Sequence, residues 1–259
     1  MITAVALVDL DDTLFQTRRK CPVGLPAESL TPFSYTAEGE AISFATPKQV
    51  SLIRWLENHT YLIVVTARST DALTRTRIRY RRAVVAHGGG IVDHHPGLTA
   101  PDRRFRAAWR RRMCETLNFE ADLDQMVVRI QSEAERIGVG VRVRVISEDG
   151  VALYVVAKHA LADGNDLELQ AACAPLVADC PPGWTVHSNG NNIAFLPPGL
   201  GKALAVEWLL PQLRDELADL PILGIGDSLT DAPFMSLCDL AITPTASQLW
   251  AKLAGAGSS

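Results

Sequence analysis

The chain has 259 residues, 47% of them hydrophobic and 21% charged, with a net charge of −4. That is enough apolar material for one large core or two modest ones, and it excludes a disordered, fibrous or low-complexity chain. No apolar run approaches the roughly 18 residues of a membrane span. The start lacks a basic stretch and reaches Asp9 early, so no signal peptide is expected. Cys21, Cys114, Cys173, Cys180 and Cys238 are odd in number and widely spaced, so a cytoplasmic setting with free thiols is expected rather than a disulfide framework or a zinc site.

The charge is segregated. Between Arg68 and Arg112 stand twelve arginines against Asp71, Asp93 and Asp102, a net +9 that leaves −13 for the rest. Solvated helix faces account for such a segment, and a positive rim drawing in an anionic substrate is the functional alternative. Nucleic acid is the least supported partner, because aromatic residues are sparse there and no nucleic-acid motif is present.

In chain order, Ile2–Val8 reads as a strand buried on both faces and ending at Asp9. Residues 15–45 are polar and irregular, with a hairpin expected over Ser34–Thr46 turning near Glu38-Gly39. Thr46-Pro47-Lys48-Gln49 opens a helix with a capping box and proline at its first position. Strand Tyr61–Val65, an Arg-rich helix over about 71–82 and strand Ala83–Ala86 follow. Strand–helix alternation predicts a parallel sheet between helices. His87-Gly88-Gly89-Gly90 reads as a connector into a different pattern. That pattern comprises helices near 102–117 and 121–137, a hairpin of 141–146 and 151–158, a helix around 165–176, and strands 184–187 and 192–196. After Pro197-Pro198-Gly199 the alternation returns: a helix from Lys202 that Pro211 should break or kink, then strands 221–225 and 240–243. The expected class is α/β, a three-layer parallel-sheet core (1–86 and 199–259) with an inserted α+β domain (87–198).

The chemistry concentrates at strand ends. Asp9-Leu10-Asp11-Asp12-Thr13 follows the first strand, and Gly226-Asp227-Ser228-Leu229-Thr230-Asp231 follows strand 221–225. Ligands bind at the carboxyl edge of open parallel sheets, and two acidic clusters there make an oxygen-only site suited to Mg²⁺. Thr66 after strand 61–65 and Lys202 at a helix start complete the set.

These four elements resemble the haloacid dehalogenase superfamily of aspartate-nucleophile phosphotransferases. The DxDxT signature matches Asp9, Asp11 and Thr13; the strand ending in Thr matches Ile63–Thr66; the Lys motif matches Gly201–Leu204; and the acidic motif matches Gly226–Asp231. The insert lies between the Thr and Lys motifs, where this superfamily places C2-type caps, and its helix–hairpin repetition is similar to subclass IIB. That subclass includes sucrose-phosphate and other sugar phosphatases, and phosphomannomutase.

The resemblance implies a Rossmann-like core and a Mg²⁺-dependent phosphatase for a sugar phosphate or similar small phosphorylated metabolite. Asp9 would be the nucleophile and Asp11 the proton donor and acceptor. Thr66 and Lys202 would bind the phosphoryl group. The metal would be held by Asp9, the main-chain carbonyl of Asp11 and Asp227, with Asp231 beside it. A phosphomutase with the same nucleophile is the rival reading, and a non-enzymatic anion- or nucleic-acid-binding protein using residues 68–112 is the alternative of another class.

Two departures stand out: His87-Gly88-Gly89 replaces an Asn-Gly-Ala common among relatives, and residues 15–45 exceed a compact flap. In the insert, His187, Asn191 and Asn192 are candidates for substrate hydroxyls, within a polar cluster that a turn at Asn189-Gly190 would also explain. His94-His95 reads as loop.

Overall fold

A computed structural model describes residues 1–93, 104–161, 166–188, 190–217 and 219–256. The elements are β1 (Ala4–Val8), β2 (Gln16–Thr17), β3 (Thr31–Tyr35), β4 (Ala41–Ala45), α1 (Pro47–His59), β5 (Thr60–Val65), α2 (Thr70–Thr74), β6 (Arg82–Val85) and β7 (Gly90–Val92). They continue with α3 (Arg104–Thr116), α4 (Glu120–Ile137), β8 (Val141–Glu148), β9 (Val151–His159), α5 (Asp166–Ala178), β10 (Thr185–Ser188) and β11 (Ile193–Leu196). The last are α6 (Lys202–Leu217), β12 (Ile222–Ile225), α7 (Ala232–Met235), β13 (Leu240–Ile242) and α8 (Gln248–Ala256). His94-His95 and Asn189 lie outside the described residues. No helix among the described residues is long and apolar enough to cross a membrane.

The chain divides into two compact units, 1–109 with 202–259, and 110–201. The first holds a six-stranded sheet ordered β13-β12-β1-β5-β6-β7, parallel except for β7, which runs antiparallel to β6. All five residues of β1 are buried, as its unbroken apolar run requires of a central strand. β1 also lies where the strand order reverses, between β12 and β5. Gly90–Val92, expected beyond the connector, belongs to this sheet because it pairs with Ala83–Val85.

α1 begins with the expected capping box: the Thr46 side chain accepts from Gln49 N, and the Gln49 side chain accepts from Thr46 N. The Arg-rich helix expected over 71–82 ends at Thr74. Beyond it Ile78, Tyr80 and Arg82 are buried while Arg77, Arg79 and Arg81 face solvent. That period of two belongs to extended chain, not to a helix. This stretch pairs with β3, Tyr35 N donating to Arg75 O and Arg77 N to Phe33 O. β2, β4 and β3 form a separate three-stranded sheet within residues 15–45, which we call the flap. Pro211 is accommodated inside α6 without ending it.

The second unit is an antiparallel sheet ordered β10-β11-β9-β8 with α4 and α5 packed on it. Its core includes Leu123, Ile130, Val155, Leu169, Cys173 and Phe195. The α4 stripe Leu123, Met126, Ile130, Ala134 has helical spacing, so one face of α4 is buried and the other solvated.

Candidate active site

The loop after β1 is anchored by buried side chains on either side of the half-buried pair Asp11 and Asp12. Leu10, Leu14 and Phe15 are fully buried, and Leu14 N and Phe15 N both donate to Leu10 O. Asp12 takes a left-handed φ of 65°, which aspartate tolerates, and its N donates to Phe15 O. The turn brings Asp9 out at the carboxyl edge of the sheet. Asp227 follows β12, and β12 is registered to β1 through Val8↔Ile225, so the second acidic motif emerges beside the first.

Asp9, Asp227 and Asp231 each offer a carboxylate oxygen within 4.8 Å of the others. Lys202, the first residue of α6, donates from Nζ to Asp9 Oδ1 and to Asp231 Oδ1, both at 2.7 Å. An ammonium at a helix amino terminus opposes the helix dipole; here the two buried carboxylates compensate it. Ser228 donates to Asp231 Oδ2 from both N and Oγ. Gly226 is what allows Asp231 this close: a Cβ there would lie 2.6 Å from the Asp231 Cβ.

The electrostatics are uneven. Burial, with Asp231 and Asp227 nearby, holds the Asp9 carboxyl well above the ordinary range despite Lys202. Burial and the charges of Asp231 and Asp12 push Asp227 up to about 6. Burial also works to raise Asp231, but Lys202 and Ser228 outweigh it and keep that carboxyl low. Lys202 is raised, since its two partners outweigh its burial.

The Thr13 hydroxyl lies 3.3 Å from Asp9 Oδ2 and 3.1 Å from Asp227 Oδ1, and one hydroxyl hydrogen cannot serve both. Three clustered carboxylates with one ammonium and this shortage of donors suit a hard divalent cation with oxygen ligands.

Asp11 stands apart from that cluster. Its carboxylate accepts from Arg68 Nε and Nη2, each at 2.7 Å. Arg68 was not among the residues singled out from the sequence; its position two residues after Thr66 was the available signal. Thr66 is fully buried at the end of β5, and its Oγ1 accepts from Arg68 N at 3.1 Å. Lys20, in a helical turn of the flap, pairs with Asp12 at 2.5 Å.

Several of the other arginines are engaged within the chain: Arg75 with Asp71, Arg79 with Glu57, Arg82 with Asp93 and Tyr61.

In the second unit, Asn191 Oδ1 accepts from His159 N at 2.7 Å and Asn191 Nδ2 donates to Leu161 O at 3.1 Å. His187 lies in β10 and is half-buried, as is Asn192.

No protein-family model matches the chain, and no curated protein does. Solved structures do. The sucrose-phosphatase of Synechocystis, solved with sucrose and phosphate, shares 14% identity over 99% of this chain and 98% of that one, with a TM-score of 0.50. A haloacid dehalogenase-like hydrolase from B. subtilis shares 13% over 93% and 94%, with a TM-score of 0.50. A Thermoplasma acidophilum protein shares 15% over 96% and 87%, with a TM-score of 0.53. At such identities the likeness is one of fold: by fold the chain is of the haloacid dehalogenase type, a mainly parallel Rossmann-like core interrupted by an α+β insert.

Proposed function

We propose that the chain is a Mg²⁺-dependent phosphomonoester hydrolase acting through an aspartyl phosphate on a sugar phosphate or similar small metabolite. The observation that carries this reading is the cluster of Asp9, Asp227 and Asp231, bridged by Lys202, at the carboxyl edge of the parallel sheet. The motif order and the presence of a sucrose-phosphatase among the structural neighbours support it. Insertion of the second unit between the Thr66 and Lys202 motifs supports its assignment as a C2-type cap.

In this mechanism an Asp9 oxygen attacks phosphorus and the bond to the leaving oxygen breaks. That oxygen takes a proton from the Asp11 carboxyl and departs as the alcohol. A water oxygen then attacks phosphorus, gives its proton to the Asp11 carboxylate, and the bond to Asp9 breaks, restoring Asp9 and releasing phosphate. Lys202 holds Asp9 in place and offsets its charge, and the Thr66 hydroxyl bonds the phosphoryl oxygens. Asp9, Asp227 and Asp231, with the main-chain carbonyl of Asp11, would hold Mg²⁺, which supplies positive charge to the phosphate oxygens when bound.

The test is phosphate release from a panel of phosphorylated metabolites, with Mg²⁺ and with EDTA. Release that needs Mg²⁺ and disappears in Asp9→Asn is expected, and isomerisation without release would favour a mutase. Acid-quench labelling with an activated phosphoryl donor locates the intermediate. Label is expected on Asp9 in the Asp11→Asn protein and none in Asp9→Asn; label on Asp227 would overturn the assignment.

A further inference from the structure

Resting on that reading, we propose that Arg68 is the positioning residue for Asp11, and that buried Ser34 of the flap sheet fixes the Arg68 guanidinium. The flap thereby sets where the proton-transferring carboxylate points.

The pair is a side-on, two-bond arrangement, Nε to Oδ2 and Nη2 to Oδ1, both 2.7 Å. Such planar, parallel pairing defines the orientation of a carboxylate more narrowly than a single contact. The two partners differ in access: the Asp11 side chain is 39% exposed and that of Arg68 13%. The guanidinium therefore belongs to the wall, and the carboxylate is the part a substrate can reach.

Arg68 is itself fixed on several sides. Its backbone N donates to Thr66 Oγ1, and its carbonyl accepts from Ala86 N at the end of β6. Its Cζ lies 5.4 Å from the centre of the Phe15 ring, and Nη2 also donates to Ser34 Oγ at 3.2 Å.

Ser34 is where the flap enters. In a regular strand successive side chains point to opposite faces, yet Phe33 and Ser34 of β3 are both buried. The β3–β4 register shifts on either side of Ser34, and such irregularities re-aim side chains. Both then turn inward, Phe33 stacking on Phe15 with ring centres 6.1 Å apart and Ser34 bonding Arg68. This gives the long segment 15–45 a role: it supplies a hydroxyl and an aromatic ring that brace the group holding Asp11.

Two measurements decide the proposal. The first is hydrolysis of aryl phosphates of graded leaving-group acidity, from dinitrophenyl to phenyl phosphate. Dinitrophenolate leaves without a proton, whereas phenolate leaves faster with one. Loss of positioning costs about 10²-fold, so Arg68→Ala should lose about that factor in kcat/KM on phenyl phosphate, which reports the step that protonates the leaving oxygen. Little loss of kcat/KM is expected on dinitrophenyl phosphate, while kcat on that substrate falls because hydrolysis of the aspartyl phosphate also uses Asp11. Ser34→Ala should show the same pattern more weakly. Added guanidinium should restore Arg68→Ala, and Arg68→Lys should not match the parent, because lysine cannot make the paired bonds. In an Asp11→Asn background Arg68→Ala should cost nothing further.

The second is thermal denaturation of the parent, Asp11→Asn, Arg68→Ala and the double variant, where the losses should be non-additive. Equal losses of kcat/KM on both aryl phosphates, or additive effects in either cycle, would overturn the proposal. A parent that releases no phosphate from any aryl phosphate overturns the hydrolase reading and the proton-transfer role with it, while the denaturation cycle still decides the Arg68–Asp11 link.

Discussion

Lys202 and Asp9, 193 residues apart in the chain, meet with Nζ 2.7 Å from Oδ1, and the same Nζ reaches Asp231 Oδ1 at 2.7 Å. Both partners are buried, so this ammonium is what makes two adjacent carboxylates tolerable before any cation is added. Removing one member of a buried ion pair costs about 3–5 kcal/mol. Lys202→Met should lower the stability of the EDTA-treated protein by about that much at pH 8. At pH 5 the loss should be smaller, because the orphaned carboxyls relieve the repulsion by taking up protons. Urea denaturation at the two pH values is the check, and a loss independent of pH would contradict this role for Lys202.

The metal-free protein should lose stability as pH rises from about 4 through 6 and beyond. Asp227 is pushed up to about 6 and Asp9 is raised well above its ordinary value, both by burial and by neighbouring carboxylates. A carboxyl whose folded pKa lies above its unfolded one binds more protons folded than unfolded. Its stabilising contribution is complete below the unfolded pKa and is lost as pH climbs through the folded value. Mg²⁺ competes with those protons, so its affinity should rise over the same window and its stabilising effect should be larger at pH 8 than at pH 5. Melting curves from pH 5 to 8, with EDTA and with Mg²⁺, test both signs.

Which parts were legible in the sequence follows from how local each signal is. Asp9, Thr66 and Asp227 each close an apolar strand, and Lys202 opens a helix, so short strings marked positions that the sheet then brings to one edge. The capping box of Thr46 and Gln49 is equally local. The stretch after Thr74 was misread as helix because arginine propensity masked the alternation of Arg77, Arg79 and Arg81 with Ile78 and Tyr80. β7 was missed because three residues after a glycine run carry almost no periodicity. Arg68 and Ser34 were missed for a different reason: their partners lie 57 and 34 residues away, and apart from its place two residues after Thr66 nothing local separates Arg68 from a solvated arginine.

Gly226→Ala should displace Asp231 while leaving the protein folded. The added methyl carbon would sit 2.6 Å from the Asp231 Cβ and 2.9 Å from its Cγ, distances that no rotamer change of Asp231 fully relieves because its Cβ belongs to the backbone frame. Overpacking of this kind costs about 1–3 kcal/mol. Asp231 would then lose its alignment with Lys202, and the cation site would loosen with it. Isothermal titration should show weaker Mg²⁺ binding, and Gly255→Ala, where nothing lies within 4 Å, serves as the control with binding unchanged. Unchanged Mg²⁺ affinity in Gly226→Ala would mean Asp231 does not contribute to the site.

Asn191→Ala should destabilise the second unit rather than alter substrate binding. Its Oδ1 accepts from His159 N and its Nδ2 donates to Leu161 O, so one amide fastens the end of β9 to the turn that leads into β11. Next to it His159 Nε2 is 3.0 Å from Glu168 Oε2, and Leu161 N donates to His159 Nδ1, which continues the same clasp into α5. Removing one side of such bonds leaves backbone groups short of partners at about 1–3 kcal/mol. Asn191→Asp is the finer test, since a carboxylate keeps the acceptor for His159 N but cannot donate to Leu161 O. Its loss should fall between that of the parent and that of Asn191→Ala. Denaturation curves should therefore rank the three proteins in that order while KM stays the same in all of them. A raised KM with unchanged stability would instead place Asn191 at the substrate.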